Sequence, residues 1–443
     1  MKDFKDIMAQ IPFIDAHCHV MPRGVGKYAS SGKPFAGHSQ LAGLLLGYGS
    51  RMCFLTAGLP QEVVNLIWDG SMDPEECKTE VLKFLPLVEA ALPVVFCRRG
   101  MAMLTGYEVD EINGDNWNHL DVLLAESGTG GDYAHLLSVM ERDNITKLLL
   151  NMWTSWSAAY YGRYLDGLSD MDRADDSRAY STLATFDSYA VAPFTEPTRE
   201  YARIVGADAE SFDGYDRFIE ELADFFVLKR EVKGFKISEC YFRALDYVPV
   251  EKEKARAAFR ENPSEEQVKT LSDYVTWRVL EQARRLQVPV QIHTGELWGE
   301  TKVAQVSPMH LETAIRAFPD VKFDILHGGY PFMAELGILA SNFRNIYLNL
   351  SAMPLRSMEQ FEHWLGVYIN TVSANRILVG TDVFNVECMA GCIDFIRAGC
   401  AAVASRMFQR GIASEGAIRR LFERILNKNA CELYGIGDMS IMP

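Results

Sequence analysis

The sequence predicts an α/β fold, a (β/α)8 TIM barrel with a helical insertion after the first strand. Short apolar or β-branched runs of strand length alternate with amphipathic stretches of helix length, which indicates a parallel sheet covered by helices. Eight such runs are present, the number that closes a barrel. They are FIDAHCH from Phe13, ITKLLLN from Ile145, ATFDSYAVAPF from Ala184, VKGFKI from Val232, VPVQIH from Val288, VKFDILH from Val321, IYLNLS from Ile346 and RILVGTD from Arg376. An open doubly wound sheet is the alternative, but no GxGxxG motif follows the first run.

The segment between the first and second runs, about residues 39–142, predicts a helical insertion. Within it, QEVVNLIWDG from Gln61 places apolar residues at helical spacings. The segment is too long for a single barrel crossover, so we expect it to cover a site built on the first strand. A plain barrel needs about 250 residues and grows by insertion. The 443 residues therefore agree with one domain over residues 1–443.

The composition argues against several classes of protein. The formal charge of −15 and the pI of about 5.2 oppose binding to nucleic acid or to an anionic membrane surface. The nine cysteines are scattered and odd in number, which argues against a disulfide framework and for buried free thiols, including Cys388 and Cys392. The first residues lack an apolar core of signal-peptide length, and no run approaches the roughly 20 apolar residues of a membrane span. We therefore expect a soluble, cytoplasmic protein.

His17 and His19 end the first predicted strand. Residues two apart on a strand point to the same side, so both imidazoles can reach one metal ion. Hydrogen-bonded core or surface histidines are the alternative for an isolated His-X-His. Polar residues also end later strands, where barrel enzymes build their sites. They are Lys236 at the end of the fourth strand, His293 of the fifth, His327 of the sixth and Asp382 of the eighth.

The motifs HCH, GFK, HTG, HGGYP, YLNLS and GTD, in this order, resemble those of the amidohydrolase superfamily of metal-dependent barrel enzymes, and in particular its amidohydrolase 2 branch. The resemblance is clearest over residues 232–382 and thin over the insertion. It implies that His17, His19 and Asp382 bind the deeper metal, and that His293 completes a mononuclear site or belongs to a second metal. It also implies one or two divalent ions, with zinc expected and manganese as the alternative.

The expected chemistry follows from such a centre. A bound divalent cation lowers the pKa of water toward neutrality and polarises a substrate carbonyl. Asp382, an ionised carboxylate beside the metal, is expected to carry a proton to the leaving group. His327 is expected either to bind a second metal or to hydrogen-bond the developing oxyanion. Lys236 is expected either to bridge two metals as a carbamate, as in some members, or to pair as a cation with a substrate carboxylate or a neighbouring acid.

Four further residues are candidates for contact with the substrate. Arg243 is expected to reach an anionic substrate, with a surface ion pair as the alternative. Tyr330 in HGGYP and Trp298 in ELWGE are candidates for lining the pocket, with ordinary aromatic packing as the alternative. Glu296 completes HTGE, which resembles the HAGE of adenosine deaminase-like enzymes, where the glutamate protonates a ring nitrogen.

We expect a hydrolase that cleaves a carbon–nitrogen (amide-type) or ester bond of a small, carboxylate-bearing metabolite. The resemblance leaves three other reactions open: adenosine deaminase-like deamination, decarboxylation as in the amidohydrolase 2 branch, and isomerisation as in uronate isomerases, which also carry an insertion after a His-X-His strand. The eighth strand reads GTDVF and lacks the paired aspartates of adenosine deaminases. A catalytically silent barrel that acts as a binding module is the non-enzymatic alternative. The expected partner is a small molecule, neither nucleic acid nor membrane, and a homo-oligomer is left open.

Overall fold

Eight parallel strands in the order β1 to β8 form the sheet at the centre of the protein. A computed structural model describes residues 3–20, 39–127, 133–152, 179–295 and 302–437. The strands are β1 Phe13–Cys18, β2 Ile145–Met152, β3 Tyr180–Thr185, β4 Phe235–Ile237, β5 Val290–Ile292, β6 Phe323–Ile325, β7 Ile346–Asn349 and β8 Ile377–Leu378. Their side chains are almost all buried, as expected of a parallel sheet enclosed by helices. The predicted TIM barrel is confirmed.

The two edges of this sheet are joined by backbone hydrogen bonds. Each strand pairs in parallel with the next, from β1 with β2 to β7 with β8. On the free side of β1, the amide of Ala16 donates to the carbonyl of Val379 at 3.1 Å, and the amide of His19 donates to the carbonyl of Val383 at 2.8 Å. The segment after β8 therefore lies against β1, so the carboxyl ends of the first and last strands meet.

The chain between β1 and β2 forms the predicted helical insertion. Helix α1, Lys5–Gln10, precedes β1. The helices described in the insertion are α2 Gln40–Leu45, α3 Tyr48–Ala57, α4 Gln61–Asp69, α5 Pro74–Val88, α6 Leu92–Thr105, α7 Trp117–Glu126 and α8 Tyr133–Arg142. Local sequence sets their ends: α5 begins with a proline, and the side chain of Asp73 before it accepts a hydrogen bond from the amide of Glu75. The first of these helices begins at Gln40 and the last ends at Arg142.

The remaining helices lie between and after the later strands. They are α9 Asp187–Val191, α10 Glu196–Val205, α11 Phe212–Asp224, α12 Lys252–Ala258, α13 Glu265–Leu286, α14 Glu312–Ala317, α15 Met333–Asn342, α16 Met353–Arg356, α17 Met358–Thr371, α18 Val386–Gln409, α19 Glu415–Glu423 and α20 Asn429–Tyr434. The long helix α13 opens with a capping box, in which Ser264 and Gln267 exchange side-chain and backbone hydrogen bonds. These helices enclose the sheet. In barrels of this kind the site is built at the carboxyl ends of the strands.

The third strand was predicted too far along the chain. The run ATFDSYAVAPF from Ala184 contributes only its first two residues to β3, which begins at Tyr180. The next part of the run forms helix α9, where Tyr189 and Ala190 are buried. A short buried helix and a short buried strand are both uninterrupted apolar runs, so periodicity does not separate them. The correction places Asp187 just beyond the end of β3.

Helix α18 is unusually apolar. Its 24 residues have the length and composition of a membrane span, which corrects the expectation that no run approaches one. In its most apolar window, however, 72% of the residues are buried inside the protein, as in the core helix of a soluble fold. Cys388 and Cys392 on this helix are buried free thiols, as predicted.

The insertion packs on the barrel where α6 crosses α18. A Cβ atom at Gly391 of α18 would lie 2.1 Å from the carbonyl oxygen of Phe96 on α6. A Cβ atom at Gly100 of α6 would lie 1.7 Å from the carbonyl oxygen of Glu387 on α18. The two helix backbones are therefore in direct contact, and glycine is the residue that fits at both positions.

Candidate metal centre

Three side chains from the first and last strands meet at one point. The Nε2 atoms of His17 and His19 each lie 3.1 Å from Oδ1 of Asp382. One ligand atom from each of the three residues lies within 4.8 Å of the other two, and all three residues are buried. Between the histidines, Cys18 directs its Sγ toward the carbonyl of Leu149 on β2, as the alternation of a strand requires. The structure thus brings the three residues together, and their role as metal ligands stays a prediction.

The backbone of β1 holds Asp382 in place. The amide of Asp382 donates to the carbonyl of His17 at 2.9 Å, and its backbone lies in the left-handed region with φ of 60°. One residue earlier, Thr381 donates from its amide at 2.8 Å and from its hydroxyl at 2.5 Å to the carboxylate of the buried Asp15. Gly380 permits this close approach, because a Cβ atom there would lie 2.7 Å from the amide nitrogen of His17. Strand β1 therefore carries the histidines and also positions the carboxylate.

Burial and mutual contact set the protonation of this group. Burial lowers the pKa of His17 well below its usual value, and the nearby Lys236 lowers it further. Burial likewise lowers the pKa of His19, so both imidazoles are neutral near pH 7, the form that binds metal. Burial alone would raise the pKa of Asp382, but hydrogen bonds from both histidines outweigh it and hold this pKa well below its usual range. Two neutral nitrogens and one carboxylate oxygen aimed at one point fit zinc and related divalent ions.

His293 and His327 form a pair beside this group. Nε2 of His327 lies 3.3 Å from Nδ1 of His293, and Nδ1 of His327 lies 3.1 Å from the carbonyl of Ser351. His327 has a left-handed backbone with φ of 62°, which turns the chain directly after β6. Burial lowers the pKa of His327 to about 4, so this ring is also neutral at pH 7. The ring of His327 lies 5.7 Å from that of His17 between centroids, so all five predicted residues occupy one region.

A cavity opens on this centre. His17, His19, His293 and Asp382 line one part of it. The other lining residues come from the ends of β2, β3 and β4 and the segments that follow them, and they are Asn151, Thr185, Asp187, Lys236, Ser238 and Tyr241. Every lining residue carries a polar side-chain group that a ligand could contact.

Lys236 is buried in the wall of the cavity, as its position at the end of the fourth strand predicts. Its side chain is 1% exposed, and its Nζ has no hydrogen-bond partner among the described residues. Burial lowers the pKa of Lys236 to about 8, while Asp382 and Asp187 oppose this shift. A buried ammonium without a partner is costly, so the geometry supports a role for Lys236 in binding a ligand or a modifying group.

The sequence reasoning missed Asn151 and Asp187, which line the cavity from β2 and from just beyond β3. Oδ1 of Asp187 accepts a hydrogen bond from the amide of Ser238 at 2.6 Å. Burial raises the pKa of Asp187 to about 7, and the nearby Glu239 raises it further against the opposing hydrogen bond from Ser238. The signal that would have found both residues is the one that found the others, a polar residue at the end of a strand. For Asp187 the misplaced third strand concealed this signal.

Arg243 does not line the described cavity. It is 8% exposed, and its guanidinium lies 2.7 Å from Asp273 and 3.2 Å from Asp246 while donating to the hydroxyl of Ser272 at 2.8 Å. These contacts include an ion pair with the partly exposed Asp246, and the predicted role of Arg243 in reaching an anionic substrate stays a prediction. The arginine fixes the segment after β4 to helix α13.

Of the three other candidates for substrate contact, Tyr330 is described and does not line the cavity. Tyr330 is half-buried and packs against the hydrophobic core, which favours the aromatic-packing alternative. It precedes a cis proline, Pro331. Trp298 and Glu296 lie outside the described residues, so their predicted roles stay predictions.

Fold and site together define a class of protein: a (β/α)8 barrel with a centre of two histidines and an aspartate at the carboxyl ends of its strands. The family profile Amidohydro_2, described as amidohydrolase, matches residues 14–436, from β1 to the final helix. The chain therefore belongs to the Amidohydro_2 family of amidohydrolases, as its motifs predicted.

Comparison with individual proteins extends this result. Glucuronate isomerase from Caulobacter crescentus superposes with a TM-score of 0.76 at 14% identity and covers 99% of this chain and 95% of its own. A Lactobacillus casei ATCC 334 protein with a provisional assignment as a metal-dependent hydrolase gives 0.67 at 16% identity, covering 98% of both chains. At these identities the likeness shows the fold alone. Protein fluG of Emericella nidulans is 28% identical over an alignment of 187 residues that covers 39% of this chain and 22% of that protein. The chain thus matches about a fifth of the length of that relative.

Proposed function

We propose that the protein is a metal-dependent hydrolase that cleaves a carbon–nitrogen (amide-type) or ester bond in a small, carboxylate-bearing metabolite. The main support is the convergence of His17, His19 and Asp382 beside a polar cavity. We propose zinc as the metal, in one or two ions, with manganese as the alternative. A divalent ion at this centre supplies Lewis-acid activation of water and of the substrate carbonyl.

The side chains around the centre would transfer protons and bind the substrate during hydrolysis. Hydrolysis adds hydroxide to the acyl carbon and a proton to the leaving nitrogen or oxygen. Asp382, held ionised by its histidine contacts, would take the proton from the attacking water and pass it to the leaving atom. The ammonium of Lys236 faces the cavity and would pair with the substrate carboxylate. His293, held by its contact with His327, would complete a mononuclear site or bind a second ion.

Metal content tests the centre directly. Protein purified without chelator and supplemented with zinc should retain at least one equivalent per chain by elemental mass spectrometry. His17→Asn and Asp382→Asn should each lose at least one equivalent. His363→Asn, the same substitution at an exposed histidine on α17, is the matched control and should retain the wild-type content. Wild-type protein that retains no metal after supplementation would overturn the proposal.

The reaction is tested with the metal-loaded protein and a panel of N-acyl amino acids, small lactones and carboxylate-bearing esters. Release of amine or of free acid, measured by mass spectrometry and lost in Asp382→Asn, is the expected outcome. Loss of carbon dioxide from the same compounds would instead indicate decarboxylation. Metal binding without any turnover across the panel would favour the silent binding module.

Isomerisation of a sugar acid is the second candidate. The superposition on glucuronate isomerase covers 99% of this chain and therefore includes the helical insertion. The support is one of architecture, since the identity is 14%. Conversion of D-glucuronate to a ketose would separate this candidate from hydrolysis. Nuclear magnetic resonance measures it as loss of the signal of the aldose C1 position.

We also propose a cytoplasmic location and a small-molecule partner rather than nucleic acid or membrane. The net charge of −15 supports the absence of both anionic partners. The burial of α18 supports its role as a core helix. Cell fractionation followed by immunoblotting tests the location, and size-exclusion chromatography with light scattering tests whether the chain forms a homo-oligomer.

A further inference from the structure

Two buried polar atoms in the cavity wall lack partners, and they are opposite in character. Nζ of Lys236 is a donor, and Oδ1 of Asn151 is an acceptor, and neither has a hydrogen-bond partner among the described residues. Both side chains are at least nine-tenths buried, and both line the same cavity. Asn151 lies on β2 and Lys236 on β4, so the two groups flank β3 on one wall.

Atoms of this kind are costly unless something in the cavity satisfies them. A buried polar group without a hydrogen bond keeps its desolvation penalty, and a buried charge keeps a larger one. The carboxyl groups of Asp187 and Asp382 lie in the same cavity, but neither makes a hydrogen bond to Lys236. The missing partners are therefore an acceptor for Lys236 and a donor for Asn151, both supplied from within the cavity.

The charges around the cavity narrow the chemistry of each partner. Lys236 is the only lysine or arginine among the described residues that line the cavity. An anionic acceptor is therefore favoured over a neutral one at Nζ. An ammonium donor to Asn151 would be repelled by the same lysine, so a neutral hydroxyl is favoured there.

We propose that the wall formed by Asn151 and Lys236 is a subsite for a hydroxy acid, with the carboxylate of the ligand on Nζ of Lys236 and a hydroxyl donating to Oδ1 of Asn151. The inference rests on the proposed function of the same cavity and names its class of substrate. It holds for hydrolysis and for isomerisation alike, because it concerns binding rather than the bond that reacts.

Matched probes that differ by one hydroxyl test the subsite. Butyrate and its 2-, 3- and 4-hydroxy derivatives are titrated by calorimetry into wild-type protein, zinc-loaded and metal-stripped. At least one hydroxybutyrate should bind about threefold to tenfold more tightly than butyrate in both forms, the range of one hydrogen bond. The position of the best hydroxyl then reports the distance between the two groups. Equal binding of all four acids overturns the proposal.

Two variants assign the contacts. Asn151→Leu should abolish the preference for the hydroxyl and leave the affinity for butyrate unchanged. Lys236→Met should weaken all four acids at least tenfold. Asn370→Leu and Lys322→Met, the same substitutions at exposed positions, are the matched controls and should bind as the wild type does. If Asn151→Leu keeps the preference for the hydroxyl, the proposal is wrong. Tighter binding of the acids by Lys236→Met would also contradict it, because that result would indicate a carbamate on Lys236, which repels carboxylates.

A second variant and the metal-stripped protein distinguish the loss of ligand binding from effects on folding and on metal content. If Asn151→Leu does not fold, Asn151→Asp retains an acceptor and should keep the preference for the hydroxyl while weakening every acid. Because binding is measured in metal-stripped protein as well, a hydroxyl preference in protein that retains no metal would uphold the subsite and refute the proposed hydrolase.

Discussion

Replacing Gly391 by alanine should loosen the helical insertion from the barrel. The new Cβ atom would lie 2.1 Å from the carbonyl oxygen of Phe96, whereas ordinary contact begins near 3.4 Å. The helices α6 and α18 must therefore separate by more than about 1 Å, since a backbone carbonyl in a helix does not rotate away. Overpacking of this kind costs about 1–3 kcal/mol. We expect the upper end, a loss of about 3 kcal/mol in the free energy of unfolding.

Urea unfolding followed by circular dichroism measures this loss. Gly366→Ala on α17 is the matched control, because a Cβ atom there meets nothing within 4 Å. Alanine gains up to about 1 kcal/mol over glycine inside a helix, so the control should be as stable as the wild type or more so. Gly100→Ala should resemble Gly391→Ala, and the double variant should cost less than the sum because both disrupt one contact. A Gly391→Ala protein as stable as the control would refute the direct contact of the helices.

Three further predictions concern single side chains. The folded protein keeps the Asp187 proton up to about pH 7, whereas the unfolded chain loses it near pH 4, so the contribution of Asp187 to stability falls as pH rises between these values. Asp187→Asn should therefore be more stable than the wild type, by at most about 4 kcal/mol at pH 8 and by less at pH 5. A stability gain that does not change with pH in thermal melts would contradict this prediction. Tyr434→Phe removes the hydroxyl that donates at 2.5 Å to the buried Asp324, and should cost about 1–3 kcal/mol in urea unfolding, a neutral effect being the contrary result. Asn385→Ala removes the side chain that accepts from the amide of Cys388 at the start of α18 and should cost about 1 kcal/mol, whereas Asn385→Ser should restore most of it if capping is the cause.

The site residues that the sequence located share one property: each stands at the end of an apolar run. In a parallel barrel these ends converge, so His17, His19, Lys236, His293 and Asp382 could be gathered without coordinates. Hydrophobic periodicity is a local property of the sequence. It locates these residues because the end of a strand is also a local feature. Asp187 shows its limit, since the apolar residues of α9 read as a continuation of the strand.

Contacts between side chains far apart in the sequence could not be predicted from the sequence alone. Arg243 follows the fourth strand, where residues for substrate contact are expected, yet its guanidinium pairs with Asp273, thirty positions further on in helix α13. Nothing in the local sequence around either residue records that contact. The unpartnered state of Lys236 is likewise a property of the folded cavity, because it depends on which acids fail to reach the ammonium.

The centre lies on the seam where the two ends of the barrel meet. Asp15 and Thr381, which join β1 to the chain after β8, are 366 residues apart in the sequence. A nascent or truncated chain that lacks the last strand holds both histidines and no carboxylate to complete them. The three side chains therefore come together only after the chain up to β8 and Asp382 has folded. The proposed centre is thus complete only when the first and last strands of the barrel have been joined, so its proposed metal binding depends on closure of the barrel.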